Sequence, residues 1–506
     1  MRTLSQPSNP LARLAPLLFF LLVMLVDMRP AQADLYTATT AFKQRHYAQA
    51  FPQFLALARL GQPMAQLAVA YMYASGLGTA RSRIDGYAWA RLAAQNGAAK
   101  GLTLAKELEP ALALAPGSRK VAAWVTAPYT PAALDRTLLP VFLQPNTRSN
   151  ASRSHPRNFA SKRGGTRSPA RCRPQRFDTN IYPLEADLGG MQGRFVLQYT
   201  LMPDGTARNP RVVFGLQAPQ FDEAARAGVL MAKFAHAPGA QPLQCTMALE
   251  FLERQYSTDD YPGLEEKLWV LYHSAKHGNP QAETNYGTLL AGLPQVFRER
   301  NPRFLPWLLK GAQGGDALAQ YEVAVCLESA FGGCKPDDAK ALRWLHLAAA
   351  QNQPDAELDL AVRALHGAPD PADLIAARGW LEQAAAQGNA AADSYLAALL
   401  ATSPQAAARD PARALRLERK AYEHVAIDPT GYEIRAAAYA AEGQFARAVQ
   451  LERRAIRKAR QLDWDVSPLE KRLKRYRSHQ PWLDNLLSYA NAPAGTTAHQ
   501  AAPPSG

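Results

Sequence analysis

The chain lacks any run of 18 or more apolar residues, which excludes a multi-span membrane protein, because about 20 are needed to cross a hydrocarbon core. It has only four cysteines in 506 residues, too few for a small disulfide-dense scaffold. Catalytic patterns are missing as well. There is no Gly-x-Ser-x-Gly, no His-Glu-x-x-His, no phosphate loop and no Cys-x-x-Cys. His273 and His277 stand at i, i+4 on an expected helix, but no third ligand lies near them, so no metal site or cofactor is assigned. Asp259-Asp260 and Asp337-Asp338 read as loop and helix-entry acids. No enzyme is expected. Hydrolysis of cell-wall material has no support in the residues. What remains is a chain 47% apolar and 20% charged, long enough for roughly three domains.

Acidic residues are absent over one stretch. From Thr147 to Arg176 there are nine Lys/Arg and no Asp or Glu, mixed with Ser, Asn, Pro and Gly. Such a segment cannot bury enough surface to offset its chain entropy, and a basic flexible linker is expected over 128–176. A second basic stretch, Glu452 to Arg477, holds ten Lys/Arg and four acids. The two together account for the net charge of +14, so the rest is near neutral. A nucleic-acid role is not expected. The basic linker could make weak contact with an anionic envelope surface.

Arg2 and Arg13 precede a 13-residue apolar run, Leu14 to Val26, which is followed by Ala31-Gln32-Ala33. A basic start, a short apolar run and a small-residue exit describe a secretory signal peptide over 1–33, cleaved after Ala33. The mature chain would be periplasmic; the alternative is an uncleaved inner-membrane anchor.

Internal repetition is the strongest signal. Trp89, Trp307, Trp344 and Trp380 each open a similar phrase: WARLAAQNG, WLLKGAQGG, WLHLAAAQNQ and WLEQAAAQGN. Val270, Leu417 and Leu451 occupy the same phase. Small residues recur four and five places later, on the same helix face. The bulky residue would fill the space between helices, and the small pair would let a neighbouring helix approach. Each unit is then a helix pair that cannot bury its own face, and stacking gives an α-solenoid. Residues 61–97 resemble a Sel1-like repeat, a relative of the tetratricopeptide repeat, with Gly76 and Gly78 at the inter-helix turn. Residues 428–460, with Gly443-Gln444-Phe445 and Ala448, resemble an ordinary tetratricopeptide unit. The resemblance implies a surface that holds other proteins and is not itself catalytic.

Residues 181–253 change character. Arg194 to Leu201 alternates apolar and polar, Pro203-Asp204-Gly205 marks a turn, and Ala207 to Phe214 supplies a second strand. Phe221 to Lys233 is helical in pattern and Gln244 to Phe251 alternates again. Strand, strand, helix, strand makes a small antiparallel sheet with one helix on a face. Tyr182-Pro183, Met191-Gln192-Gly193, Asp204-Gly205, Val212-Val213 and Phe221-Asp222-x-Ala224-Ala225 follow the landmark order of the TonB-type C-terminal domain. The helix exit departs from that family, reading Phe234-Ala235-His236-Ala237-Pro238. The resemblance implies binding of an extended receptor segment by strand addition. The expected edge is the third strand, with Cys245, Met247, Leu249 and Phe251.

Cys326 lies near the end of a repeat helix and Cys334 in the turn after Gly332-Gly333, within bridging reach. Cys-rich relatives of the repeat family carry bridges of similar short separation. If Cys326 and Cys334 pair, Cys172 and Cys245 remain, either tying the linker's end to the third strand or standing as two buried thiols.

The expected fold class is thus mainly α, an α-solenoid with an inserted small α+β domain. Its parts are N-terminal repeats over 34–127, the linker, the TonB-like module over 177–255, Sel1-like repeats over 263–427, a tetratricopeptide-like unit over 428–478 and a tail over 479–506. The expected function is an exported adaptor that binds periplasmic or outer-membrane proteins through the repeat surface and the sheet edge. The alternative is a variant TonB-type energy transducer for outer-membrane transport, although residues 1–33 contain no His and no long Pro-rich spacer follows.

Overall fold

The structure, a computed structural model, describes residues 34–113, 117–142, 170–177, 193–215, 219–251, 264–292, 304–365, 370–422, 428–484 and 486–487. The expected signal peptide lies outside them. The chain divides into two compact units, Met1–Thr126 and Ala127–Gly506.

The first unit is helical: α1 (Leu35–Lys43), α2 (Tyr47–Arg59), α3 (Pro63–Ser75), α4 (Arg83–Gln95), α5 (Lys100–Ala113) and α6 (Ser118–Thr126). Local chemistry sets the boundaries. The Asp34 carboxylate caps α1 by accepting from the Thr37 N–H at 2.8 Å. Gln62 caps α3, whose first residue is Pro63, and Gly76 ends it in a left-handed conformation at φ 72°. Gly78, also at positive φ, lies so close to the Tyr47 carbonyl that a Cβ would collide with it. Trp89 is buried on α4 beside Ala90 and Ala93.

The second unit opens with α7 (Pro131–Thr137) and contains the sheet module, with β1 (Gly193–Leu201), β2 (Ala207–Gly215), α8 (Pro219–Met231) and β3 (Leu243–Phe251). Then come α9 (Leu264–Lys276), α10 (Pro280–Gly292), α11 (Leu305–Gln313), α12 (Ala317–Ser329), α13 (Asp338–Ala349), α14 (Pro354–Ala364), α15 (Pro371–Ala386), α16 (Ala390–Thr402), α17 (Pro411–Tyr422), α18 (Thr430–Ala441), α19 (Phe445–Gln461) and α20 (Ser467–Arg477). Each of these helices packs on the next, as stacked helix pairs do.

A polar lock recurs between pairs. Gln66 donates to the Ala58 carbonyl at 3.0 Å and accepts from Asn96 at 2.8 Å. Gln320 repeats this with the Ala312 carbonyl and Gln351, and Gln387 donates to Glu357 at 2.8 Å. The amide residues that follow each small pair are therefore ties between successive turns. Gly311 shows how close the helices come: a Cβ there would strike Thr284 Oγ1.

Two of the four Trp anchors are less buried than expected. Trp89 and Trp344 are fully buried, but Trp307 and Trp380 are half-exposed, and it is Leu308 and Leu381 behind them that are buried. Val270, in the same phase, is 55% exposed. The interior of each second helix is set by the residue after the anchor, buried in all four phrases (Ala90, Leu308, Leu345, Leu381). Trp307 instead meets Tyr286 and Tyr272 edge-to-face, with Lys310 over its ring at 4.6 Å.

The ends of the expected linker are also built into the second unit. Helix α7 leaves carbonyls unsatisfied at its C-terminus, as every helix does. Cationic and indole donors from α13 meet them. Lys340 Nζ donates to the Asp135 and Leu139 carbonyls at 2.6 and 2.8 Å, Arg343 donates to Thr137, and Trp344 Nε1–H donates to Leu138 at 2.9 Å. Phe142 then bridges Cys334, which is bonded to Cys326 with Cα atoms 5.8 Å apart. Residues 170–177 are fixed as well, as described below.

Trp344 therefore fills volume and satisfies a carbonyl at once. Trp344→Phe should cost about 1–2 kcal/mol, mostly for the orphaned Leu138 oxygen, and Trp344→Ala about 3–5 kcal/mol. Urea denaturation of the two variants measures the difference.

Candidate functional site

The sheet has the order β2-β1-β3. All nine residues of β1 pair antiparallel with β3, from Gly193 opposite Phe251 to Leu201 opposite Leu243. The β1–β2 ladder carries two irregularities. One face is a core in which Phe195, Leu197, Tyr199 and Leu201 meet Phe221, Ala225 and Val229 of α8.

Strand β3 is a sheet edge. Its candidate residues do not aim at a partner with their side chains. Cys245 and Leu249 are only 2% and 4% exposed, and Met247 packs against the same core. Phe251 pairs with Gly193 at the strand end. What this edge can offer is main chain, one N–H and one C=O at every second residue. Cys245 is bonded to Cys172, with Cα atoms 5.5 Å apart. The stretch before the module is held further by the Tyr199 hydroxyl, which donates to the Cys172 carbonyl at 2.8 Å, and by a bridge from Arg176 to Lys233. Residues 170–177 of the basic segment are thus fixed, because a covalent bond and hydrogen bonds offset their entropy. Closing a loop of 73 residues lowers the unfolded chain's entropy by about 4 kcal/mol at room temperature.

The sheet's other face would be solvated in a free module. Here Val196, Gln198 and Thr200 are buried, and what covers them is the repeat array. Helices α10 and α12, the first members of their pairs, contact β1 and β2. The contact is built at three places. At the start of the array Phe214 packs against Phe304 and Phe331, with ring centroids 5.9 and 4.9 Å away. In the middle Arg211 forms an ion pair with Asp359 of α14 and donates to Gln198, and Tyr395 of α16 lies close enough to act on its charge. At the far end Arg208 lies 4.2 Å from the centroid of the Trp464 ring, and Lys233 donates to the Leu462 carbonyl and pairs with Asp463 at 2.7 Å. Asp204 accepts from the Asp465 N–H at 2.8 Å. Leu230 of α8 joins Ala455, Ile456, Ala459, Leu462 and Trp464 in one apolar cluster.

The module therefore occupies the face that the first helices of the array present. That face is acidic. Burial pushes the Glu322 carboxyl up to about 8, partly opposed by its hydrogen bond with Thr288. Burial also raises Glu328, to about 7, with Asp359 adding and Arg363 opposing. Asp355 is raised by burial too. Burial works against the Arg211 charge, but Asp359, Tyr321 and Tyr395 outweigh it, so the guanidinium is held more firmly protonated than usual. The Tyr395 phenol is pushed up to about 12 by burial.

Elsewhere the candidate groups make no reaction centre. His277 Nδ1 lies 2.6 Å from the His273 carbonyl, and the His273 ring packs on Trp269. Among the described residues no group of three His, Cys, Asp or Glu could hold a metal ion. Asp337 caps α13 through the Lys340 N–H at 3.1 Å. Among the described residues no helix is long and apolar enough to cross a membrane. Reading the sequence misses the clasp altogether.

Two outcomes follow from this chemistry. Arg211→Met leaves Asp359 buried without its cation and should cost about 3–5 kcal/mol, whereas Arg211→Met with Asp359→Leu should recover much of the loss. A double-mutant cycle in urea measures the coupling. The second outcome concerns pH. A carboxyl whose pKa is raised in the native state binds protons there that the unfolded chain has released. Stability therefore falls as pH rises from the unfolded value of about 4.5 to the native value of about 8, and is lowest above it. Glu322→Gln removes one such group. It should make the fall shallower by up to about 1.4 kcal/mol per pH unit, read from urea midpoints across that range.

The family model of the Gram-negative bacterial TonB protein C-terminal matches residues 179–252. The Sel1 repeat model matches residues 63–97, 317–353 and 354–389. No curated protein matches the chain. Among solved structures, a Sel1 repeat protein from Oxalobacter formigenes is 24% identical, with a TM-score of 0.30, over 42% of this chain and 59% of its own length. The chain thus spans less than two thirds of that relative. A protective antigen present in uropathogenic Escherichia coli strains, displaying an SLR fold, is 16% identical with a TM-score of 0.30, over 88% of this chain and 80% of its own. Sel1 repeats are in general protein-binding, non-catalytic units, and the TonB C-terminal domain is a bacterial envelope domain. The chain thus carries Sel1 repeats and a TonB C-terminal-type domain, the parts of a protein-binding repeat scaffold.

Proposed function

We propose that the chain is an exported envelope adaptor that holds an extended segment of a periplasmic or outer-membrane protein along the edge of β3. The observation that carries this reading is that β3 ends the sheet while its side chains are committed to the core and to Cys172. A strand of that kind offers a ladder of main-chain groups and little side-chain selectivity of its own. Two cysteine pairs support an oxidising compartment, and export after Ala33 belongs to the same proposal. The clasp favours an adaptor over an energy transducer. A module pinned to the repeat array at three places is not a head carried on an extended spacer.

The N–H groups of β3 alternate between β1 and the open edge, so Met247 and Leu249 share one direction and Ala248 has the other. Proline should be placed at each of the three in turn. Where the lost N–H pointed to β1, the fold should weaken by roughly 3 kcal/mol. Where it pointed outward, the melting temperature should hold while crosslinking to the envelope partner is lost. If the well-folded variants keep every crosslink of the parent chain, β3 is not the binding edge.

A further inference from the structure

Helices α19 and α20 form a hairpin whose inner and outer faces differ sharply in charge. The inner face buries Ala448, Ala455, Ile456 and Ala459 of α19 and Leu469, Leu473 and Tyr476 of α20. Only two acidic residues occur within the two helices, and both are engaged. Glu452, fully buried, accepts from Arg472 at 3.0 Å, and Arg472 also pairs with the buried Glu433. Glu470 pairs with Arg460 at 2.8 Å. The outer face is left with cations. Arg453, Arg454, Arg457, Lys474 and Arg477 are exposed and, among the described residues, have no ion-pair partner.

Several of these cations are neighbours on their helix. Arg453 and Arg457 are four apart, as are Arg454 and Lys458, and Lys474 and Arg477 are three apart. Like charges at such spacings destabilise a helix, so the hairpin carries an internal repulsion that an external anion would relieve. Residues 488–506, which follow in the sequence, add no Asp or Glu.

We propose that this outer face docks on an anionic phospholipid surface. The arrangement fits that partner for three reasons. The charges sit at the ends of long flexible stems on two adjacent helices, the longer about 25 Å by its 17 residues, which suits a broad array of headgroups more than a single ligand. The face carries no large apolar residue to insert into the bilayer, so adsorption is electrostatic and reversible. It also carries no exposed aromatic platform on which unpaired bases could stack, since Trp482 lies half-buried beneath Lys471, Arg472 and Arg475.

The test uses the full chain. All four native cysteines are paired, so Gln450→Cys, on the exposed arc of α19, supplies a single thiol for an environment-sensitive fluorophore. The label reports on this face whatever other segments do. Vesicles of phosphatidylcholine with phosphatidylglycerol should shift its emission, and vesicles of phosphatidylcholine alone should not. The shift should vanish when salt is raised from about 0.1 M to about 1 M, which shortens the Debye length from about 10 Å to about 3 Å. Arg453→Glu with Arg457→Glu and Lys474→Glu should raise the lipid concentration at half-shift by about tenfold or more, as removal of several surface charges does. If that variant misfolds, the same three positions as Gln should give a smaller loss in the same direction. Neutralising the basic residues of 147–169 should leave the response intact. An unresponsive label overturns the proposal. So does an equal response from the charge-reversed chain, loss of response on neutralising 147–169, or a larger response to duplex DNA than to the anionic vesicles.

Discussion

The burial of an acidic repeat face under a sheet is the constraint on which the second unit depends. Carboxyl groups cannot be moved out of water as ions without a partner or a proton. Both solutions are used. Asp359 receives Arg211 from β2, and Glu322 holds on to its proton into the neutral range. Phe214 at one end and Trp464 with Leu230 at the other add the apolar area that holds the sheet in place while the middle is polar. A solenoid built from helix pairs always has a face that its own stacking does not close. In this protein an inserted domain closes it.

That arrangement changes what the module is for. A free three-stranded sheet with one helix would tumble on its linkers and pay the full ordering entropy on meeting a partner. Clasped to the array, it presents β3 in a fixed setting, with Cys245 bonded and the ladder to β1 complete along nine residues. Pre-organisation of this kind raises affinity without adding contacts. It also reserves the first-helix face of α10 to α16 for an internal use, which leaves the sheet edge as the proposed binding surface of this unit.

Much of this was legible in the chain. The recurring Trp phrase, the small pairs and the caps reveal helix pairs, since they act over a few residues and the physics is local. The ordered landmarks from Gly193 to Ala225 reveal the hairpin and helix for the same reason. The anchors are partly misread because a large ring at a helix surface and the smaller residue behind it obey the same period. Trp307 and Trp380 stand at the rim while Leu308 and Leu381 fill the interior. The clasp is not legible at all. Arg211 and Asp359 are far apart in the chain, each looks like an ordinary surface charge, and only the folded geometry brings them together. The basic segment likewise looks uniform from Thr147 to Arg176, yet a bond from Cys172 and a hydroxyl from Tyr199 fix its last residues.

The bond between Cys172 and Cys245 also has a mechanical meaning. A pull arriving along the chain from the N-terminal side reaches Cys172 and passes through sulfur directly into the start of β3, at Cys245. The residues between, 173–244, which include β1, β2 and α8, lie in a loop that carries no load. Roughly 250 Å of contour length, at about 3.5 Å per residue, is thereby withheld from extension. Force travels through the sheet's edge strand while the structure that supports that strand is shielded from it.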